Sequence, residues 1–254
     1  MKRISPFLLL CIMGGLAIFS STMSKSPALP LFAGSLGISD RELGFVAAAS
    51  TIVGIIISFP AAALSDIIGR RRLFIVSAFV FATAPFLYLF VSTVWALVIV
   101  RVYHGIATAI LGPIALAAVA DTFSEHRGER MAWYSSATMV GRFLAPLLGG
   151  ALIIGNDFRW VYLADGVFGL LAFTAAILIP FPKKTGNVAA KSEREKSHYG
   201  KEIVTIITHR GILSTSLIEA VQYFAYGAIE TYLPRYLKEN SSFSPLEIGS
   251  LFTA

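Results

Sequence analysis

Charged side chains are missing from long stretches of this chain and gathered into short ones between them. Leu43 to Ser65 holds no charge, and from Leu73 to Ala120 the only ionisable side chains are Tyr88, Arg101, Tyr103 and His104. A membrane-spanning helix needs roughly 20 apolar residues, because the hydrocarbon core is about 30 Å thick. As one helix the second run would be about 72 Å long at 1.5 Å per residue, so it must turn. Val91-Ser92-Thr93 is the predicted turn. The pattern predicts spans over residues 6–31, 43–65, 73–91, 94–120, 131–154 and 160–181. Arg142 lies inside the fifth and Asp165 inside the sixth. The first span follows Lys2 and Arg3, as a signal peptide would. No small-x-small cleavage site follows convincingly and five more spans do, so it is read as a retained helix.

Residues 183–210 break the pattern. They carry Lys183, Lys184, Lys191, Arg194, Lys196, Lys201 and Arg210, with few large apolar residues before Ile203. This reads as a solvated linker, with room for a short amphipathic helix near Lys201–Thr208. A seventh span is predicted over 211–236, and an eighth opens near Pro245. The expected organisation is a six-helix bundle over 1–182, a cytoplasmic linker over 183–210, and the start of a second bundle over 211–254.

Composition agrees. The chain is 56% hydrophobic and 14% charged, against about 25% charged in soluble domains. The class is therefore all-α and integral to a membrane. The net charge of +6 would suit a nucleic-acid binder, but the basic residues fall between the apolar runs. Their distribution instead orients the chain. With the N-terminus in the cytoplasm, fourteen Lys and Arg lie in cytoplasmic segments and four outside, at Arg41, Arg159, Arg235 and Lys238. That bias predicts a multi-pass protein of the plasma or inner membrane with a cytoplasmic N-terminus. The single cysteine, Cys11, allows no intramolecular disulfide and argues against a zinc site. No soluble-enzyme signature, phosphate-binding loop or His/Cys cluster of metal-ligand spacing appears, so neither an enzyme nor a cofactor is expected. An ATP-driven pump would need a partner chain.

The chain also repeats itself. Leu29-Pro30 is followed by Ser39-Asp-Arg-Glu42, and Leu233-Pro234 by Ser244-Pro-Leu-Glu247. The prolines are 204 residues apart and the Ser-x-x-Glu pairs 205. Each pair is a capping box that opens a helix. Both copies start from the same side, so the repeat is parallel, as between the two halves of a large class of transporters. A duplicated unit predicts a longer parent of roughly 400 residues and twelve spans, because the second copy should match the first in length.

Asp66 lies near the end of the second span, ahead of Gly69, Arg70, Arg71 and Arg72. A carboxylate at a helix C-terminus opposes the macrodipole and needs compensation. Gly69 permits a tight turn. Two readings follow: a charge lock that holds one conformation, or arginines that only set topology.

This loop resembles the signature of the major facilitator superfamily, Gly-x-x-x-Asp-Arg-x-Gly-Arg-Arg. Asp66, Gly69, Arg70 and Arg71 match, with Ala62 at the first glycine and Ile67 after the aspartate. Arg101-Val-Tyr-His104-Gly105 is similar to the family's span-four Arg-x-x-Gln-Gly. Gly141, Ala145, Pro146, Gly149 and Gly150 are similar to its span-five Gly-x-x-x-Gly-Pro-x-x-Gly-Gly, which the family associates with antiporters, notably drug exporters. Phe158-Arg159-Trp160 resembles the start of its sixth span. The resemblance implies twelve helices in two bundles, of which about seven or eight spans are present here. It also implies a cavity lined by helices one, four, seven and ten. Residues 141, 145 and 149 form one small-residue stripe by spacing alone, where a helix backbone can approach closely.

Ionisable groups inside a membrane are costly and functional by default. By resemblance, Lys25, Arg101, His104, Glu219 and Glu230 sit on cavity-lining helices. Lys25 and Glu230 are read either as pathway groups or as side chains snorkelling to the interface. His104, one helical turn from Arg101, is either a proton carrier or a packing residue. Asp165 is left without a role. The expected function is secondary transport of a small molecule by alternating access, with protons as coupling ion and efflux as direction. Uptake of an organic anion or another metabolite, and a transport-incompetent fragment lacking the second half, are the alternatives. Topology is testable directly. In a chain with Cys11→Ser, Asn156→Cys should react with an impermeant thiol reagent in intact cells. Val188→Cys should react only after permeabilisation. The reverse pattern would invert the orientation.

Overall fold

The computed structural model describes residues 5–122, 126–180 and 208–253; the side chains of residues 59, 62, 63, 66, 67, 121 and 122 are outside the description. The described residues form helices α1 (Pro6–Met23), α2 (Ala28–Ser35), α3 (Asp40–Ile68), α4 (Arg70–Tyr88), α5 (Val94–Thr122), α6 (Arg127–Ala151), α7 (Arg159–Leu178), α8 (Arg210–Ser241) and α9 (Pro245–Leu251). The linker expected over 183–210, with its short amphipathic helix, lies almost wholly outside the described residues.

The predicted first span is two helices rather than one. α1 ends at Met23, a turn occupies 24–27, and α2 resumes at Ala28. Pro27 and Pro30 explain the break, since each lacks a backbone N–H and clashes with the preceding turn. The predicted turn at 91–93 falls between α4 and α5. Gly69 alone joins α3 to α4, at φ +93°, a conformation that a side chain would strain. Both capping boxes form. Glu42 accepts from the Ser39 backbone at 2.9 Å, and the Glu42 N–H donates to the Ser39 hydroxyl at 3.4 Å. The copy 205 residues on repeats this at 2.8 and 3.3 Å between Ser244 and Glu247.

Among the described residues, five stretches are long and apolar enough to cross a membrane: Pro6–Ser35, Asp40–Ser58, Arg70–Tyr88, Val94–Ala120 and Arg159–Leu178. α6 and α8 have the length but are more polar. α6 carries Arg127, Glu129, Arg130 and Arg142. Its neighbours bring it into the bundle: it runs along α1 with Gly141 against the Gly15 carbonyl and Gly149 against Met23.

The chain divides into two units, residues 1–181 with 231–254, and residues 182–230. The described part of the smaller unit is the first two thirds of α8, whose side chains from 210 to 226 are all exposed. The larger unit holds two apolar clusters. One gathers Met13, Phe74, Phe81, Ile114 and Tyr134. The other gathers Met23, Leu43, Tyr88, Leu97, Tyr162 and Ile248. Large apolar side chains such as Ile55 (73% exposed) and Phe90 (81%) face outward, as a lipid-facing surface requires.

Small residues set the helix spacing. A Cβ on Gly141 would lie 2.5 Å from the Gly15 carbonyl oxygen, and one on Gly105 would lie 2.7 Å from that of Ser50. Gly166 packs under the Phe86 ring and Gly169 against the backbone at Phe81. Gly141→Ala gains helix propensity of about 0.5–1 kcal/mol but overpacks against backbone that cannot move aside, which costs about 1–3 kcal/mol. It is therefore expected to destabilise the purified protein in detergent. Gly54→Ala, with nothing within 4 Å of its new methyl, should not. Equal denaturation midpoints for the two variants would contradict this packing.

Candidate functional site

A polar layer separates the two apolar clusters. On α1, Ser20 lies between Ala17 of one cluster and Met23 of the other. On α5, Arg101 and His104 lie between Val100 and Ala107; on α7, Asp165 lies between Tyr162 and Ala172. All four are buried: Ser20 and Asp165 at 0% exposure, His104 at 2% and Arg101 at 4%. Helix α5 brings Arg101 and His104 to this level because positions three apart share a face.

Arg101 donates to the Ser50 hydroxyl of α3 at 2.5 Å. His104 stands edge-on to the rings of Phe81 and Tyr88, at 5.6 and 6.2 Å between centroids. Neither of its nitrogens has a hydrogen-bond partner among the described residues. Tyr88 stacks flat on Tyr162, centroids 4.6 Å apart and planes 2° from parallel. The Ser20 hydroxyl donates to Asp165. Nearby, Ser77 donates to the Ala107 carbonyl at 2.8 Å, and the Thr83 and Tyr103 hydroxyls pair at 2.8 Å. The layer can therefore hold charge and bind polar groups within the bundle.

Of the residues singled out in the sequence, the structure brings Arg101 and His104 together. Lys25 is half-buried in the turn after α1. Glu230 is buried. Glu219, expected as a buried acid, is exposed on α8, where no other described helix of the smaller unit covers it. The Asp66 side chain lies outside the described ones; Gly69 forms the expected turn, and Arg70 reaches across to the Ala117 carbonyl at 2.7 Å. Gly141 and Gly149 face α1 as the stripe predicts. Gly150 and the Pro146 carbonyl meet Gly249 of α9.

Three contacts were not foreseen. Ser20 gives no sequence signal, while Asp165 stood out only as a charge in an apolar run. The Tyr88–Tyr162 stack joins residues 74 apart. Arg235, at the second copy of the Leu-Pro pair, donates to the Ile38 carbonyl at 2.6 Å and pairs with Asp40 at 3.2 Å and Glu239 at 2.7 Å. It thereby ties the end of α8 to the loop between α2 and α3.

The sequence model of the Major Facilitator Superfamily matches residues 10–254. The chain belongs to this superfamily. Among curated relatives it is 26% identical to the uncharacterized MFS-type transporter MJ1560 of Methanocaldococcus jannaschii, over 83% of this chain and 55% of that protein. It is 24% identical to the quinolone resistance protein NorA of Staphylococcus aureus, over 89% of this chain and 57% of that protein. The chain thus spans little more than half the length of these relatives. Among solved structures it is similar to a bacterial homolog of the human lysosomal transporter Spinster, inward-facing and unoccupied (TM-score 0.77, 18% identity, 97% of this chain and 57% of that one). It is also similar to a D-xylose-proton symporter (TM-score 0.71, 16% identity, 96% and 63%). These likenesses agree with the fold expected from the sequence, a multi-pass helical membrane protein.

The superfamily's span-four signature has a physical reading in this bundle. Arg101 bonds the Ser50 side chain, and Gly105, one turn on, lets the Ser50 backbone approach. Both fix the α3–α5 crossing. Hydrogen bonds to charged groups contribute about 1.5–3 kcal/mol in soluble proteins. Interhelical bonds in membranes contribute about 0.6–1.7 kcal/mol, because the unfolded helices also find partners. A double-mutant cycle of Arg101→Met and Ser50→Ala should therefore give a coupling of about 0.6–1.7 kcal/mol in detergent unfolding. A coupling of zero would make the contact incidental.

Proposed function

We propose that this chain is the first bundle and the opening of the second bundle of a proton-coupled exporter of small organic molecules, working by alternating access in the plasma or inner membrane with its N-terminus in the cytoplasm. The observation that carries the reading is the buried cation Arg101 on α5, at 4% exposure inside a polar layer. A charge kept at that cost within a membrane bundle is functional by default, beyond its bond to Ser50. Membership of the superfamily supports transport as the activity. The quinolone resistance relative supports export over uptake.

In this reading 1–182 is the N-terminal bundle, 183–210 the cytoplasmic linker and 211–254 the start of the C-terminal bundle. Asp66, Gly69, Arg70 and Arg71 form the conformational lock. Arg101 and His104 face the cavity from the first bundle, with Lys25 beside the outer entrance. Glu219 and Glu230 face the cavity from α8 once a complete second bundle encloses that helix. The paired glycines at 150 and 249 bring the backbones of α6 and α9 close together. Rocking changes the hydration and charge around Glu219, so a proton binds one conformation better than the other, and that difference couples it to transport.

Glu219→Gln separates this from a static role, since glutamine keeps shape and hydrogen bonding but does not titrate. In the complete transporter reconstituted in liposomes, the variant should lose accumulation driven by a pH gradient while exchange of substrate down its own gradient persists. Retained proton-driven accumulation would remove Glu219 as the coupling site. Loss of both activities together would make it structural.

A further inference from the structure

The polar layer contains an acid that the transport reading does not use. Asp165 is 0% exposed on α7. One carboxyl oxygen accepts from Ser20; the other has no hydrogen-bond partner among the described residues. It is not alone. The Tyr162 hydroxyl, both nitrogens of His104 and Nε of Arg101 are also buried without hydrogen-bond partners among the described residues. Buried polar atoms are nearly always hydrogen-bonded, so several orphans in one layer point to groups that exchange partners rather than hold fixed ones.

We propose that Asp165 is a proton-binding site inside the six-helix bundle, its carboxyl held by Ser20 beside the stacked rings of Tyr162 and Tyr88. The donor count favours this. An ionised carboxylate buried in an apolar bundle needs a cation or several donors. Asp165 accepts from the Ser20 hydroxyl, the nearby Ser24 hydroxyl donates to the Ser20 and Ser21 carbonyls, and the layer's cation bonds Ser50. The acid form suits the surroundings better, with one oxygen accepting from Ser20 and the other carrying the proton.

The groups that face this carboxyl are few. Its own helix supplies Tyr162, one turn earlier, and α4 supplies Tyr88. From α5 come Arg101 and His104. From α1 comes the hydroxyl of Ser20, and from the turn after it that of Ser24, with Lys25 next in the chain. Helix α2 adds the Phe32 ring against Tyr162, 5.4 Å between centroids, and no charge. The stacked tyrosines thus link the acid to the Arg101–His104 side of the layer.

The site stands on the bundle alone, so it is tested apart from transport. Infrared difference spectra of the 254-residue chain in lipid nanodiscs, across a pH series, report the carboxylic acid carbonyl band. The wild type should show such a band that falls as the pH is raised. Asp165→Asn should remove it. Ser20→Ala should move it to higher frequency, because the carbonyl loses its hydrogen bond; this arm also decides the matter should Asp165→Asn fail to fold. Three outcomes overturn the proposal. One is a spectrum in which Asp165→Asn removes a carboxylate band instead, the mark of an acid ionised against Arg101 or a bound cation. The second is an acid band that persists at every pH, the mark of a fixed structural bond. The third is an acid band that Ser20→Ala leaves unmoved. None depends on whether Glu219 couples protons to transport.

Discussion

Helices in a membrane gain nothing by turning apolar faces toward one another, since lipid is equally apolar. What holds this bundle is how closely the backbones come, and glycine sets that distance. Gly141 lies on the Gly15 carbonyl, Gly105 on Ser50, Gly169 on Phe81, and Gly150 on Gly249. Each contact fixes one helix crossing: α1 with α6, α3 with α5, α4 with α7, and α6 with α9. The rest of the bundle follows from them. The two apolar clusters fill the ends of the volume so defined, and the polar layer occupies the level between them.

That layer converts packing into chemistry. Arg101 lies where α5 crosses α3 because Gly105, one turn away, lets the two backbones meet. Asp165 reaches Ser20 because α7 lies along α1, with Phe19 against Phe168 at 4.6 Å. The Tyr88–Tyr162 stack depends in turn on the tight α4–α7 contact at Gly166 and Gly169. A methyl group at any of these glycines would move a charged or titratable group as well as a helix.

The contact between α6 and α9 has a different character. It joins the small-residue stripe of α6 to the second copy of the capping-box segment. The repeat seen as an offset of 205 residues therefore has a mechanical counterpart. The second copy of the segment that opens α3 seats itself on the fifth span. Arg235 adds a further tie, from α8 to the loop before α3.

Much of this was legible in the sequence, where the signal is local. Length forces the turn at 91–93, Gly69 permits the α3–α4 reversal, and Ser39 with Glu42 opens a helix, because each depends only on residues a few positions apart. The spacing of 141, 145 and 149 announced a packing stripe for the same reason. The break at 24–27 was carried by Pro27 and Pro30 but hidden in an otherwise apolar run. What only the tertiary structure decided is how each helix is rotated about its axis. In a soluble helix the polar face betrays that rotation. Here lipid-facing and buried residues are both apolar, so hydropathy is silent. Whether Asp165 meets Ser20, Arg101 meets Ser50, or Tyr88 meets Tyr162 is settled by rotations that glycine contacts between distant helices impose.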